Sequence, residues 1–459
     1  MNSLLRCLFL SLLIECCVAK YAYVTIHYEG TKRDDEYTLA IRVWAKSLFD
    51  HGIKQDVVIL VSDNVRESTK KQFRELGCKL VEIKNIENPF KSNQDRRRSY
   101  KNHFEFTLNK LYVWNMLEYE RVIYMDADNL FFHNIDELFK CGHFCAVYMN
   151  PCNFHTGLFV VTPNATTYNS LLKSLATLPS YDGADQGFLV AYFDGLQKAP
   201  LFDPQHPFAE QDMPAMQRLP IIYNNNHIFH YVEGHMDQFR LFGLRDSSEP
   251  FYSLTYAIAP ILKPWYWWGY PVLDMHWYWD QQRSSLHDSW AASFLLRLAS
   301  ILAAVYANSL FVKQLLYRRK KALSCGLLAR FQSRWFLGYA LSCGVALLPL
   351  LLAFKTMLYV VPTLMPAHLA LPLSVVYLFA WQWVAAAYLK LLRAFSPALL
   401  RSLNVPRYWY WCAFWCVVLY FGLTFYMDCF CKIFAAFTFV YYLLKVTAIE
   451  GIKAFEERK

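Results

Sequence analysis

Two aspartates separated by one small residue, Asp126-Ala127-Asp128, follow the apolar run Arg121-Val-Ile-Tyr-Met125 and precede a second apolar run. Alternate residues on extended backbone point the same way, so the two carboxylates can share one divalent cation. Hard oxygen ligands suit Mn²⁺ or Mg²⁺, and such ions keep positions open for substrate phosphates. In an open α/β sheet ligands gather at the carboxyl ends of the strands. Acids at the end of a buried strand therefore read as a metal bridge to a diphosphate. An isolated Asp-x-Asp is more often a plain acidic turn, and the other stretches decide between the two.

Three more stretches carry groups able to do chemistry. Cys152-Asn-Phe-His155-Thr156-Gly157-Leu-Phe-Val-Val161 is a glycine-containing turn feeding a buried strand. Asp182-Gly-Ala-Asp185-Gln186-Gly187 is a second acidic turn that opens a helix, and Ile261-Leu-Lys263-Pro264-Trp265 follows downstream. Neither G-x-G-x-x-G nor a P-loop is present, so a diphosphate here depends on metal and side chains.

The elements around these stretches alternate between strand and helix patterns. Residues 21–27 alternate and are rich in Tyr, Val and Thr, as a first strand is. Residues 37–48 have helical spacing, with Leu39, Val43 and Ser47 on one face. Residues 57–61 are a continuous β-branched and aliphatic run, the mark of a buried parallel strand. A charged helix over 68–76, a strand over 79–83 and a helix over 106–117 lead into the strand that ends at Asp126. This alternation predicts a three-layer α/β domain with a mainly parallel sheet.

In this order the motifs resemble the glycogenin-like retaining enzymes of glycosyltransferase family eight, over roughly residues 22 to 268. The chain also resembles the plant-type inositol phosphorylceramide glucuronosyltransferases, through Cys141-Gly-His-Phe-Cys-Ala-Val147, Phe154-His-Thr-Gly157 and a multi-span tail. The resemblance implies a nucleotide-diphospho-sugar transferase domain of the GT-A, Rossmann-like kind. It implies that Asp126 and Asp128, with Ala127 between them, hold Mn²⁺ (or Mg²⁺) on the UDP diphosphate. Tyr37 would stack on uracil beside Thr25 and Ile26, and Lys110 would bind the donor sugar or phosphate. Thr156 and Gly157 would line the sugar pocket, Asp185 and Gln186 would lie beneath the anomeric carbon, and Lys263 would neutralise the leaving diphosphate. The plain structural alternatives are a core aromatic at Tyr37, a helix-face lysine at Lys110, a helix cap at Asp185 and a membrane-surface lysine at Lys263. Two positions depart from the family pattern. Tyr256 and Ala257 stand where a metal-binding His is expected, and His155 stands where an Asn is.

Composition bounds the rest. Hydrophobic residues make up 55% of the 459 and charged residues only 18%, against about 25% charge in a soluble protein. The net charge of +9 gathers between apolar segments, at Arg318-Arg-Lys-Lys321, Arg330, Arg334, Arg393, Arg401 and Arg407. That is the placement of cytoplasmic loops and argues against a nucleic-acid partner. Residues 1–19 have the outline of a signal peptide, or of a short anchor if uncut. The clustered Cys141, Cys145 and Cys152 suit a disulfide in an oxidising lumen, with zinc as the weaker rival. Spans are expected near 291–311, 336–354, 369–389, 409–427 and 433–446, with Trp265–Trp268 and Trp277–Trp279 as an interfacial belt. Arg96-Arg-Arg98 and Lys101 could attract a phosphorylated head group, and Asn164-Ala-Thr166 is an N-glycosylation acceptor.

The expectation is thus a signal peptide (1–19), a lumenal α/β transferase domain (20–285) and a membrane domain of about five helices (286–459). Its partners would be a UDP-sugar donor and a lipid-linked acceptor at a Golgi or other secretory-pathway membrane. The rival readings are a polysaccharide or glycoprotein acceptor, and a catalytically inactive membrane scaffold.

Overall fold

The structure, a computed structural model, describes residues 20–92, 104–148, 153–228, 252–257, 259–270, 273, 275–318, 352–353 and 355–395. The signal segment, Arg96–Arg98, Lys101, Cys152, the last two expected spans and all but the end of the second lie outside the described residues. The chain divides into two compact units, Met1–Ile258 and Ala259–Lys459.

In the first unit the strands are β1 (Tyr21–His27), β2 (Asp56–Ser62), β3 (Lys79–Ile83), β4 (Arg121–Met125), β5 (Asn129–Phe131), β6 (Phe144–Tyr148), β7 (Phe154–Val161), β8 (Met216–Leu219), β9 (Asn225–Asn226) and β10 (Ser253–Thr255). The helices are α1 (Asp34–Asp50), α2 (Glu67–Glu75), α3 (Ala165–Ser174) and α4 (Asp185–Tyr192). Among the described residues, seven strands form one sheet in the order β3-β2-β1-β4-β7-β6-β8, and β5-β10-β9 form a small second sheet. The large sheet is mainly parallel, as expected, with one strand reversed. Strands β1 to β4 pair in parallel, but β7 runs antiparallel to both β4 and β6. A continuous apolar run such as Leu158–Val161 carries no sign of its direction. The reversal has a use, because it brings the start of β7 to the end of β4. There the Asp126 N–H donates to the Gly157 carbonyl at 2.8 Å.

Alternation along β1 sorts its side chains between two cores. Ala22 and Val24 join Val58, Leu60, Val122 and Tyr124 over Leu108, Leu111 and Trp114. Tyr23 points the other way, against Phe131 and Phe139 at ring separations of 6.4 and 5.3 Å. Trp114 stacks on Phe159 and Phe193 at 5.4 and 5.8 Å. Burial of each such side chain stabilises by about 1.5–3 kcal/mol, so the segment holding Trp114 is fixed against the sheet. That segment, Thr107–Asn115, is a 3₁₀ helix rather than an α-helix. Cys141 and Cys145 are joined by a disulfide, and Cys78 is a buried thiol.

The second unit contains α5 (His276–Ser284), α6 (Ala291–Arg318) and α7 (Ala367–Phe395). Among the described residues one helix, Ala291–Leu315, is long and apolar enough to cross a membrane. The third expected span lies within α7, whose stretch Ala367–Trp381 is apolar but shorter. Arg297 lies inside α6 and donates from Nη1 to the Val360 carbonyl at 2.6 Å, so its donor is used within the unit. The aromatic belt needs correction. Trp265, Trp267 and Trp279 are buried, and only Trp277 and Tyr278 of the run are well exposed. The run is mostly core because its rings pack on one another, as Trp265 does on Trp279 at 6.3 Å.

Candidate active site

Strand β4 ends at Asp126, the start of β7 supplies Thr156, and the first residue of α4 is Asp185. Lys110, from the 3₁₀ helix, joins them. Its Nζ lies 2.9 and 3.1 Å from the two oxygens of Asp126, 2.8 Å from Asp185 Oδ2 and 3.4 Å from the Thr156 carbonyl. The Thr156 hydroxyl donates to Asp185 Oδ2 at 2.6 Å, and the Tyr124 hydroxyl to Asp126 Oδ1 at 2.8 Å. Lys110 is buried, as is Asp185, whereas the Asp126 side chain keeps a third of its surface exposed. Lys110 is therefore neither a helix-face lysine nor an open cation. It is an ammonium whose three donors face four oxygens from three residues.

Charge in the cluster is unbalanced. Asp126 and Asp185 bring two carboxylates against the one Lys110 ammonium, and Asp128 adds negative charge at Asp126. Burial raises the Asp126 carboxyl above its usual range; Lys110 pulls it down, while Asp128 and Asp185 push it up. Burial would lower Lys110, yet Asp126 and Asp185 outweigh it and hold the ammonium firmly protonated. A half-buried pair of carboxylates with surplus negative charge suits a divalent cation that completes its shell with phosphate and water. Among the described residues no third His, Cys, Asp or Glu joins them to make a full ligand set.

The Asp182 turn sets Asp185 in place. Asp182 Oδ1 accepts from the Ala184 and Gly187 backbone N–H groups at 3.0 Å each and from the Ser180 hydroxyl at 2.8 Å. Asp182 thus caps α4, and the Asp185 carboxylate is left to Lys110 and Thr156. Gly187 is required here, because a Cβ would stand 2.5 Å from Tyr181 N and 2.6 Å from Asp182 Oδ1. The Gln186 side-chain oxygen accepts from Thr156 N at 3.4 Å, and its amide bonds the Tyr181 hydroxyl.

The remaining expected residues fall as follows. Tyr37 is half-buried in α1 with the Arg33 guanidinium 5.1 Å over its ring. Burial, against Arg33 and with Asp128 and Asp126, pushes its hydroxyl up to about 12. Thr25 is buried in β1, and its hydroxyl has no hydrogen-bond partner among the described residues. Ile26 packs partly buried on the core, and Ala127 is buried. Lys263 belongs to the second unit, with its ammonium 5.8 Å from the Trp265 ring centroid.

Gly157 lies under the His155 ring. A Cβ there would be 2.4 Å from His155 Cε1 and 3.5 Å from Asp126 Oδ2. The Gly157 N–H donates to His155 Nδ1 at 3.2 Å, so a neutral ring carries its proton on Nε2. Asn224 Nδ2 stands 3.0 Å from the same Nδ1.

Tyr28, Asn129 and Thr255 at the site had no signal in the sequence. The Tyr28 hydroxyl is raised by burial and by Tyr37, and it feels Lys110, Asp126 and Asp185. Asn129 donates to the Asp126 and Gly157 carbonyls at 3.0 and 3.2 Å, and the Thr255 hydroxyl lies against the side-chain oxygens of Asn129 and Asn224. Tyr256, where the family pattern has a His, is buried. Its N–H donates to the Asp128 carbonyl at 2.9 Å, and its ring lies 5.2 Å from His227. Register carries this contact, since Thr255 pairs with Asn129 on one side and Asn226 on the other.

An α/β unit with acids gathered where β4 ends is the setting in which comparison with known proteins becomes informative. Residues 31–143 match the family described as glycosyl transferase family 8. The chain is 40% identical over 266 residues to a putative glucuronosyltransferase, PGSIP7, of Arabidopsis thaliana, covering 58% of this chain and 51% of that one. It is 32% identical over 308 residues to inositol phosphorylceramide glucuronosyltransferase 1 of the same plant, covering 63% and 53%. Among solved structures, the glycosyltransferase GlyE of Streptococcus pneumoniae is similar at 17% identity and a TM-score of 0.39, covering 57% and 61%. The chain spans about half the length of the curated relatives it matches.

Proposed function

We propose that the chain is a metal-dependent, retaining UDP-sugar transferase that moves glucuronate onto a membrane glycolipid such as inositol phosphorylceramide. The observation that carries this reading is the meeting of Asp126, Lys110, Thr156 and Asp185 where β4 ends and β7 begins. Asp126 and Asp128 would hold Mn²⁺ or Mg²⁺, which supplies electrostatic stabilisation of the departing diphosphate. Thr156 and Lys110 hold the Asp185 side chain where it would face positive charge developing at the sugar. Gln186 would extend the same wall, and Tyr37 with Thr25 and Ile26 would take the uracil end. Retention follows from attack on the leaving-group face or from a covalent intermediate on a carboxylate; the first is the family's usual reading. The Cys141–Cys145 disulfide, the apolar surface of Ala291–Leu315 and the basic segments beyond it support a lumenal domain on a Golgi membrane. The relative named for inositol phosphorylceramide supports the lipid acceptor and the donor sugar.

The test is Mn²⁺-dependent turnover of a UDP-sugar panel by the full chain in detergent, with inositol phosphorylceramide, for wild type and Asp128→Ala. A glycolipid product that disappears in the variant supports enzyme, metal and acceptor together. Products with polysaccharide or glycoprotein acceptors alone would retain the transferase and reject the lipid. The second reading is an inactive scaffold, favoured by Tyr256 in the expected ligand position, and absence of turnover with every donor would select it.

A further inference from the structure

Lys110 and a metal ion would compete for the same carboxylate. Asp126 Oδ1 already takes the Tyr124 hydroxyl and the Lys110 ammonium, and Oδ2 takes Lys110 at 3.1 Å. The Asp126 side chain keeps a third of its surface exposed, and Oδ2 lies 3.5 Å from the point above Gly157 that the His155 ring crowds. A metal reaching Asp126 therefore arrives beside a buried positive charge. That charge is held from the other side by Asp185 at 2.8 Å and by the Thr156 carbonyl.

We infer that Lys110 is a resident cation: it holds Asp126 and Asp185 together without metal, and it weakens metal binding while positioning Asp185. This rests on the reading of Asp126 and Asp128 as metal ligands. Charge supplies the argument, since like charges a few ångströms apart in a partly buried site repel strongly. Removing the ammonium then frees Asp126 for the metal and at the same time leaves Asp185 without its cation. The variant should bind metal better and turn over worse. A lysine that only contacts the donor would leave metal binding unchanged when no nucleotide is present. A lysine that only supports the fold would weaken both.

The experiment is Mn²⁺ titration of the full chain in detergent, followed by the electron paramagnetic resonance of free Mn²⁺, without nucleotide. Wild type, Lys110→Met, Lys110→Arg and Asp126→Asn are compared. Lys110→Met should bind Mn²⁺ at least about tenfold more tightly, Lys110→Arg close to wild type, and Asp126→Asn far more weakly. Melting curves guard against misfolding. The loss in Lys110→Met should be largest in chelator, and Mn²⁺ should raise its melting temperature more than that of wild type. Unchanged or weaker Mn²⁺ binding by Lys110→Met, or a variant that Mn²⁺ does not stabilise more than wild type, overturns the inference and leaves the metal site standing. Absence of Mn²⁺ binding by wild type overturns both.

Discussion

Two acids near the ends of neighbouring strands have opposite environments. Glu29 lies just beyond β1 and is almost wholly buried. Its Oε2 accepts from the Arg66 backbone N–H and Nε at 2.8 and 2.9 Å, and its Oε1 from the Thr69 hydroxyl at 2.6 Å. Burial would raise this carboxyl, but the Arg66 and Thr69 hydrogen bonds outweigh it and hold it at about 2. Asp126, just beyond β4, has one ammonium shared with a second carboxylate, and it is raised. Glu29 is satisfied by its own chain and closes the α2 end of the sheet. Asp126 is left short of positive charge, which is the condition for recruiting a cation from outside. A cleft of about 370 Å³ lies beside Glu29, Asp34, Asp35 and Arg66. Arg66 is ion-paired with both Glu29 and Asp35 there.

The contrast can be broken from either side. Asp126→Asn or Asp128→Asn should lower Mn²⁺-dependent turnover by about 10³-fold or more, measured as transfer from the UDP-sugar. Gly187→Ala forces a Cβ onto the Asp182 cap. It should destabilise by roughly 2–3 kcal/mol and cut turnover through Asp185, read by melting temperature and kcat. Glu29→Gln should cost about 2 kcal/mol at neutral pH while Mn²⁺ binding stays near wild type. The sign follows from its lowered carboxyl. Stability from Glu29 is full above about 4.5 and is lost as pH falls toward about 2. The melting temperature of Glu29→Gln should therefore be flatter than that of wild type across that window. Thr255→Val removes one buried hydroxyl from the Asn129–Asn224 contact and should cost about 1 kcal/mol.

The sequence made the acids legible and their company illegible. Asp126 and Asp128 stood out as candidates only because three further motifs accompany an Asp-x-Asp that alone is more often an acidic turn. The structure brings Asp126 together with Thr156 near the start of β7 and with Asp185 at the start of α4. Lys110 was read as a donor-binding residue, and its ammonium also lies between Asp126 and Asp185. Those partners come from β4 and α4, and no local spacing encodes them. Helix-capping chemistry pointed to an acid near the start of α4, but Asp182 rather than Asp185 does the capping. His227 reaches Tyr256 only through the pairing of β9 with β10. The tryptophan run gave composition without environment, and belt and core share that composition.

The most direct test of the central claim is calorimetric titration of UDP into the full chain in detergent, with Mn²⁺ and with chelator. Wild type, Asp128→Asn and Glu29→Gln serve as the comparison. Binding by wild type and Glu29→Gln only when Mn²⁺ is present, and its loss in Asp128→Asn, is the predicted result. UDP binding that is indifferent to chelator and to Asp128→Asn would contradict the account.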